Sequence, residues 1–260
     1  MKTYSEVRCW KECRRKYEFA YVEKIVPVST PKPMKWGSAV HAGLEAYFKG
    51  EDSMQAIKDC YKDEYDFVEM NKALACLSVF AFPYKVWDTE TIFQTDISQG
   101  KIDGKCEYMG ETFLLEHKTT SKNLEQFQFE LNFDEQSSSY LYANPDCKGV
   151  VYNIIQKCQL RQKKTETEEE FVERVAEWYE EGERFHIHVV RRTVAQIEEW
   201  REQFVEIARE IDRCHCYYRN PSHCTMGFAS CSYSSICLNY HPDVVDGVFF
   251  RRKEKKNEEL

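Results

Sequence analysis

A change of hydrophobic period near Ile92 constrains this chain more than any other feature. Before it, apolar residues recur at three- and four-residue steps, as amphipathic helices require. After it, Ile92–Ile97, Gly100–Tyr108 and Thr112–Lys118 alternate and read as consecutive strands. Met109-Gly110-Glu111 supplies a hairpin turn between the last two. Upstream, the spacing predicts a helix over Tyr4–Tyr21 with Ser5 as N-cap and a proline-rich connector from Pro27 to Pro33. A helix opening at Gly37-Ser38 and closed by Gly50 follows, then another over Met54–Met70, with Lys72–Trp87 helical in part. Downstream, a helix over Asp134–Ala143, an apolar strand Gly149–Gln156, an acidic helix within Thr165–Glu183 and a strand Arg184–Arg192 are expected. The clearest amphipathic helix, Val194 to about Cys214, places Ile197, Trp200, Phe204, Ile207 and Ile211 on one face. A meander preceded by helices and followed by alternating elements suggests an α/β or α+β core with a helical collar.

The segment Lys101–Lys118 carries the chemistry. Asp103 sits in Gly-Lys-Ile-Asp-Gly, at a sharp turn beside a strand, and Glu116-His117-Lys118 ends the next apolar strand. Period-two geometry puts Glu116 and Lys118 on one face and His117 on the other. A carboxylate and an ammonium at the end of an apolar strand are costly to bury without a purpose. Two carboxylates on neighbouring strands suit Mg²⁺ or Mn²⁺, and a nearby lysine could position or deprotonate an attacking water and offset charge on a phosphate. Alone, Glu-x-Lys is common and is as well explained by a surface ion pair.

The neighbouring motifs, in order, are Gly37-Ser38-Ala39-Val40-His41, Asp103, Glu116-His117-Lys118 and Gln136-Ser137-Ser138-Ser139-Tyr140. With them the chain resembles the RecB-like branch of the PD-(D/E)XK nucleases from Ser5 to Cys237. That group includes the CRISPR-associated RecB-like exonucleases, the AddB nuclease domain and phage homologues. The resemblance implies an α/β fold, a restriction-endonuclease-like core with a small central mixed sheet flanked by helices, and hydrolysis of DNA phosphodiesters. It implies metal ligation by His41, Asp103, Glu116 and the His117 backbone carbonyl. Lys118 would act on the water or the scissile phosphate, Gln136 would hold Lys118 or the phosphate, and Tyr140 would stand one helical turn further on the same face. Glu45, one turn after His41, is a candidate supporting residue. Exonuclease action on DNA ends or single strands, in recombination, repair or phage DNA processing, is the implied activity. The alternatives are an endonuclease or nickase of the same fold, or a non-catalytic DNA-binding subunit.

The cysteines extend the resemblance. Cys224, Cys231 and Cys237 lie in a loop-like stretch, HCTMGFASCSYSSIC, and Cys13 lies in CWKECRRKYEFAY. In the iron–sulfur branch, one N-terminal and three C-terminal cysteines bind a [4Fe–4S] cluster, so the resemblance implies a structural staple between the chain ends. Zinc is the rival, with His223 and His241 close by, and Cys9, Cys214 and Cys216 are spare thiols. Cys60, Cys76, Cys106 and Cys158 sit in apolar contexts and read as small buried hydrophobes.

Composition refines this picture. The 260 residues, 42% hydrophobic, can bury a full core. The expected layout is one nuclease domain over 1–240, with its catalytic core at about 36–160, and a flexible charged tail over 241–260. No run is long and apolar enough for a membrane span, and the first residues lack a signal-peptide pattern, so the expected setting is the cytoplasm of a bacterial or phage-infected cell without a membrane partner. A net charge of −8 argues mildly against a protein that coats nucleic acid. Local basic positions (Lys122, Arg161, Lys163, Arg191 and Arg192) remain candidates for phosphate contacts, because salt screens distant charges.

Overall fold

The computed structural model describes residues 1–28, 31–226, 229–239 and 250–252. In chain order its first elements are β1 (Lys2–Thr3), α1 (Tyr4–Glu12), α2 (Arg14–Tyr17), a π-helical turn over Glu18–Val22 and β2 (Ile25–Pro27). Next come α3 (Lys32–Lys49), α4 (Ser53–Asp59), α5 (Phe67–Ser78), β3 (Val86–Trp87), β4 (Thr91–Gln94), β5 (Ser98–Ile102), β6 (Gly104–Tyr108) and β7 (Glu111–Thr120). Then follow α6 (Leu124–Leu131), α7 (Gln136–Ala143), β8 (Val150–Gln156), α8 (Glu168–Glu181), β9 (Phe185–Val190) and α9 (Val194–Arg213). The last elements are a 3-10 turn over Pro221–His223, β10 (Thr225–Met226), β11 (Ala229–Ser230), α10 (Ser234–Leu238) and β12 (Phe250–Arg252). No helix among the described residues is long and apolar enough to cross a membrane.

The chain divides into two compact units. The larger comprises residues 31–95 and 100–201. Its five-stranded sheet has the order β3-β6-β7-β8-β9, and only the β7–β8 pair is parallel. β7 and β8 run through the apolar interior, with Phe113, Leu114, Leu115, Val150, Val151, Ile154 and Ile155 all buried. The hairpin between β6 and β7 closes on Met109 (φ 53°) and Gly110 (φ 77°), with Tyr108 opposite Glu111. Two positive φ values match the right-handed strand twist, as expected for a two-residue hairpin loop. On one face Leu114, Tyr152 and Ile154 pack with Tyr140 and Leu141 of α7. A second core joins α3, α5 and α8 through Trp36, Leu44, Cys76, Phe171, Val175 and Tyr179. The mixed sheet flanked by helices agrees with the sequence expectation.

Several boundaries differ. α3 begins at Lys32 rather than Gly37, because Pro33 is pre-organised for a first helical turn. Gly37 is therefore interior; a Cβ there would stand 3.0 Å from Thr119 Oγ1, so the glycine lets α3 approach β7 closely. The single helix expected over Met54–Met70 is two. Asp52 caps α4 through the Gln55 N–H (2.9 Å) and Asp66 caps α5 through the Glu69 N–H (3.2 Å). α6 is an additional helix, capped by Asn123.

The smaller unit comprises residues 1–30, 96–99 and 202–260. β1 pairs in parallel with Ser98 and Gln99. The helix expected over Tyr4–Tyr21 is broken at Cys13, whose backbone is extended (φ −164°, ψ 119°), and Thr3 rather than Ser5 is the N-cap. Phe19, Ile25, Tyr233, Ile236 and Phe250 form a small core that ties the N-terminal segment to the C-terminal one. Within the expected flexible tail, Phe250–Arg252 forms a strand antiparallel to Ile25–Pro27; the remainder, His241 included, lies outside the described residues.

Candidate active site and cysteine pocket

β7 delivers the centre of the site, and its alternation separates the roles of three consecutive residues. Glu116 and Lys118 face α7. His117 faces the other way, stacked on Phe48 of α3 (ring centroids 5.5 Å apart, planes 7° apart). Its register neighbour Asn153 places Nδ2 2.9 Å from His117 Nδ1. An amide Nδ2 only donates, so His117 Nδ1 accepts and the ring is neutral. Burial, then His41 and Lys118, hold that imidazole well below its ordinary pKa. The side chain is structural, and the backbone faces the site. The His117 N–H donates to Asp103 Oδ2 at 2.7 Å, and the His41 ring hydrogen-bonds to the His117 backbone.

The Gln-x-x-x-Tyr spacing places both side chains on one side of α7, one turn apart. Lys118 Nζ donates to Glu116 Oε1 (2.7 Å) and to Gln136 Oε1 (2.6 Å). Gln136 Nε2 donates to the Tyr140 hydroxyl (2.7 Å), which stands 3.0 Å from Glu116 Oε2 and 2.9 Å from the Lys101 carbonyl. Lys118, Gln136, Tyr140 and Glu116 thus close a ring of hydrogen bonds in which both Glu116 oxygens are engaged. A buried network of this kind is favourable only when its members are satisfied, and this one is. Burial lowers the affinity of Lys118 for its proton, but Glu116, Asp134 and Asp103 outweigh that and raise its pKa. Lys118 is therefore an ammonium, suited to hold an anion rather than to take a proton. Burial and the two carboxylates likewise push the Tyr140 hydroxyl up, so it stays protonated.

Asp103 sits in the one-residue break between β5 and β6, and His41 Nδ1 lies 3.6 Å from its Oδ2. Burial, then the charge of Glu116, push the Asp103 carboxyl above its ordinary range despite the His117 N–H bond. Burial also lowers His41, leaving a neutral imidazole with a lone pair. Two carboxylates that repel each other, a neutral imidazole and a carbonyl form a donor set short of positive charge. Its hard oxygens suit Mg²⁺ or Mn²⁺. Among the described residues, no three His, Cys, Asp or Glu side chains are drawn together tightly enough to hold an ion as they stand.

Other expected residues are placed differently. Glu45, one turn after His41 on the same side of α3, is ion-paired with Lys49. The Arg192 guanidinium is committed to the carbonyls of Asn132 (2.8 Å) and Asp134 (3.2 Å), which removes it from the phosphate candidates. Lys122 is exposed and paired with Glu130 (2.6 Å). Arg161, Lys163 and Arg191 are exposed. Asn153 and Phe48 were not singled out by the motifs. A polar residue inside the apolar run Val-Val-Tyr-Asn-Ile-Ile was the available signal for Asn153.

In the smaller unit, Cys13, Cys224, Cys231 and Cys237 line one small pocket, partly open to solvent, together with Arg15, Lys16, Arg219 and His223. The extended break at Cys13 lets the Asn220 N–H point at its Sγ (3.4 Å), and Asn220 Nδ2 holds the Glu12 carbonyl (2.8 Å). Arg219 grips the Cys237 carbonyl (2.6 Å), and the Cys231 N–H donates to the Cys224 carbonyl (2.9 Å). Cys9, Cys214 and Cys216 do not line this pocket. All twelve cysteines are free thiols. Cys76, Cys106 and Cys158 are buried as expected, and Cys60 is half-buried against the helical core.

A carboxylate pair and a lysine thus stand on neighbouring strands, flanked by a histidine helix and a Gln/Tyr helix. The model of the PD-(D/E)XK nuclease superfamily matches residues 3–238, and the chain belongs to that superfamily. It is a nuclease by family. Comparison with curated proteins finds no match. Two solved structures are similar in part. One is a candidate exonuclease from Eubacterium rectale (12% identity, 81% of this chain and 83% of that one, TM-score 0.47). The other is the protein designated SSO0001 (14% identity, 77% and 83%, TM-score 0.37).

Proposed function

We propose that this chain is a metal-dependent DNA exonuclease of the RecB-like kind, working in recombination, repair or phage DNA processing. The observation that carries the reading is the closed Lys118–Gln136–Tyr140–Glu116 ring standing beside Asp103, His41 and the His117 carbonyl. Asp103, Glu116, His41 and the His117 carbonyl would hold Mg²⁺ or Mn²⁺. A divalent ion there supplies Lewis acidity and acidifies water near the scissile phosphate. Lys118, held as an ammonium, orients the phosphoryl group and offsets its developing charge. Gln136 fixes the lysine's direction, and Tyr140 fixes the Glu116 carboxylate that the lysine shares. Incubation with linear and circular single-stranded DNA in Mg²⁺ or Mn²⁺ tests the exonuclease reading. Loss of the linear strand with the circle intact is expected; a cut circle would establish an endonuclease.

For the pocket of Cys13, Cys224, Cys231 and Cys237 we propose a structural [4Fe–4S] cluster, which four thiolates from both chain ends would hold. Arg15, Lys16 and Arg219 stand in the same lining as the thiols; burial nonetheless raises the Cys237 thiol, with Arg219 opposing it. His223 in the same lining is the observation that favours zinc instead. Protein purified without oxygen should be brown with broad visible absorbance and contain iron; a colourless, zinc-containing protein would establish the rival.

A further inference from the structure

Phe129 and Phe133 are large apolar side chains left in solvent, 63% and 71% exposed, with ring centroids 5.1 Å apart. Scattered surface hydrophobes are ordinary, but two adjoining phenylalanines at this exposure form a patch. Their place in the fold gives the patch meaning. Phe129 lies on the last turn of α6, and Phe133 lies on the connection to α7, three residues before Gln136. Three residues span at most roughly 11 Å. The connection is also rigidly held on the sheet face that carries the acid–lysine ring. Glu116, Tyr152 and His188 form one register row across β7, β8 and β9. His188 Nε2 lies 3.0 Å from Asn132 Oδ1. Strands stand about 4.8 Å apart, so His188 is roughly 10 Å from Glu116 along that row. Arg192 fixes the same connection through the carbonyls of Asn132 and Asp134. A turn tied down at both sides lowers the backbone ordering cost of presenting its rings on binding.

We propose that Phe129 and Phe133 form a base-stacking platform for unpaired nucleotides beside the scissile phosphate. The inference rests on the nuclease reading of the Glu116–Lys118 site and names its substrate as single-stranded nucleic acid. Duplex bases have no free face to offer such rings, whereas every unpaired base does, whatever its identity. A strand with one phosphate at the Lys118 ammonium has its next nucleotides within reach of the rings, since the offset of roughly 10 Å corresponds to a few nucleotides. Lys122, just before α6, lies 6.0 Å from the Phe127 ring and is paired with Glu130, so the platform's contribution rests on the rings and not on this charge. Continuity with a phosphate-directed ammonium favours nucleic acid over a protein partner.

The test uses the full chain in EDTA, where no cleavage occurs, and two labelled strands of equal length: oligo-dT and an abasic strand with the same phosphates. The Phe129→Ala/Phe133→Ala protein should bind oligo-dT at least ~5-fold more weakly than wild type, with abasic binding unchanged. Phe133→Trp should show its fluorescence quenched by oligo-dT and not by the abasic strand. Equal dT affinity in the double variant, or equal losses on both strands, would overturn the platform. So would concentration-dependent self-association that the double variant abolishes, which would assign the rings to a protein contact. Wild-type cleavage of the dT strand in Mn²⁺ reports the nuclease reading separately: cleavage with unchanged dT affinity sinks only the platform, and neither binding nor cleavage by wild type sinks both.

Discussion

Glu116, Lys118, Gln136 and Tyr140 satisfy one another in a ring of four hydrogen bonds, whereas Cys13, Cys224, Cys231 and Cys237 face a shared pocket while the bonds around them run mostly to backbone. The first arrangement is complete among its own side chains and leaves one imbalance, the mutual repulsion of Asp103 and Glu116. The second is a set of soft donors whose placement rests on backbone contacts. The difference predicts that damage to the ring costs chemistry and little stability, while damage to the pocket costs stability first.

The largest effect expected on the ring side is from Asp103→Asn. It removes a charged donor but keeps the acceptor for the His117 N–H, so cleavage should fall on the order of 100- to 1000-fold with the melting temperature unchanged or raised. A melting temperature that falls as far as activity would show the two regions to be less different than they look. On the pocket side, Cys13→Ser or Cys231→Ser should lose the proposed cluster, its visible absorbance and the folding free energy it would supply. Withdrawing a group present at a hundred times its Kd removes about 2.7 kcal/mol, roughly 5–10 °C in melting temperature for a chain of this size. An unchanged melting curve would show that the pocket is already self-sufficient.

Protons provide a smaller perturbation. His117 is neutral and buried, with its folded pKa below the unfolded one. The unfolded chain therefore binds more protons as pH falls below about 6.5, and stability is lost there, at up to about 1.4 kcal/mol for each pH unit until the folded pKa is reached. In EDTA, His117→Gln should flatten this acid limb, because the amide accepts from Asn153 without titrating. An unaltered limb would assign the acid sensitivity elsewhere. Tyr140→Phe should have the smallest effect. It leaves Gln136 Nε2 and Glu116 Oε2 each short of a partner, and a loss of about 1 kcal/mol gives a roughly 5-fold drop, read in kcat rather than KM. A KM effect alone would place Tyr140 on the substrate rather than in the ring.

The same contrast runs through what the sequence makes legible. The ring reads well because its spacings are local rules: two residues along a strand, four along a helix, and a Met-Gly turn that sets the hairpin register. His41 follows from its helix, but the reason for Gly37, its close approach to Thr119, appears only in three dimensions. α6 escapes the periodicity because Phe129 points outward and blurs the stripe of Leu124, Phe127 and Leu131. The break at Cys13 also escapes it: Val7, Trp10 and Tyr17 keep a helical spacing through a residue whose backbone is extended. Tertiary contacts with Asn220, about two hundred residues away in sequence, accompany that break. Strands of two or three residues, such as β1 and β12, are too short to show any period.

The central claim, that Glu116 and Lys118 form the working core, is tested most directly by digestion of end-labelled linear DNA in Mg²⁺ or Mn²⁺ with wild type, Lys118→Ala and Glu116→Ala side by side. The structure predicts shortening of the label by wild type and an essentially intact strand with both variants, all three proteins melting as folded chains. Degradation at the wild-type rate by both variants would contradict it.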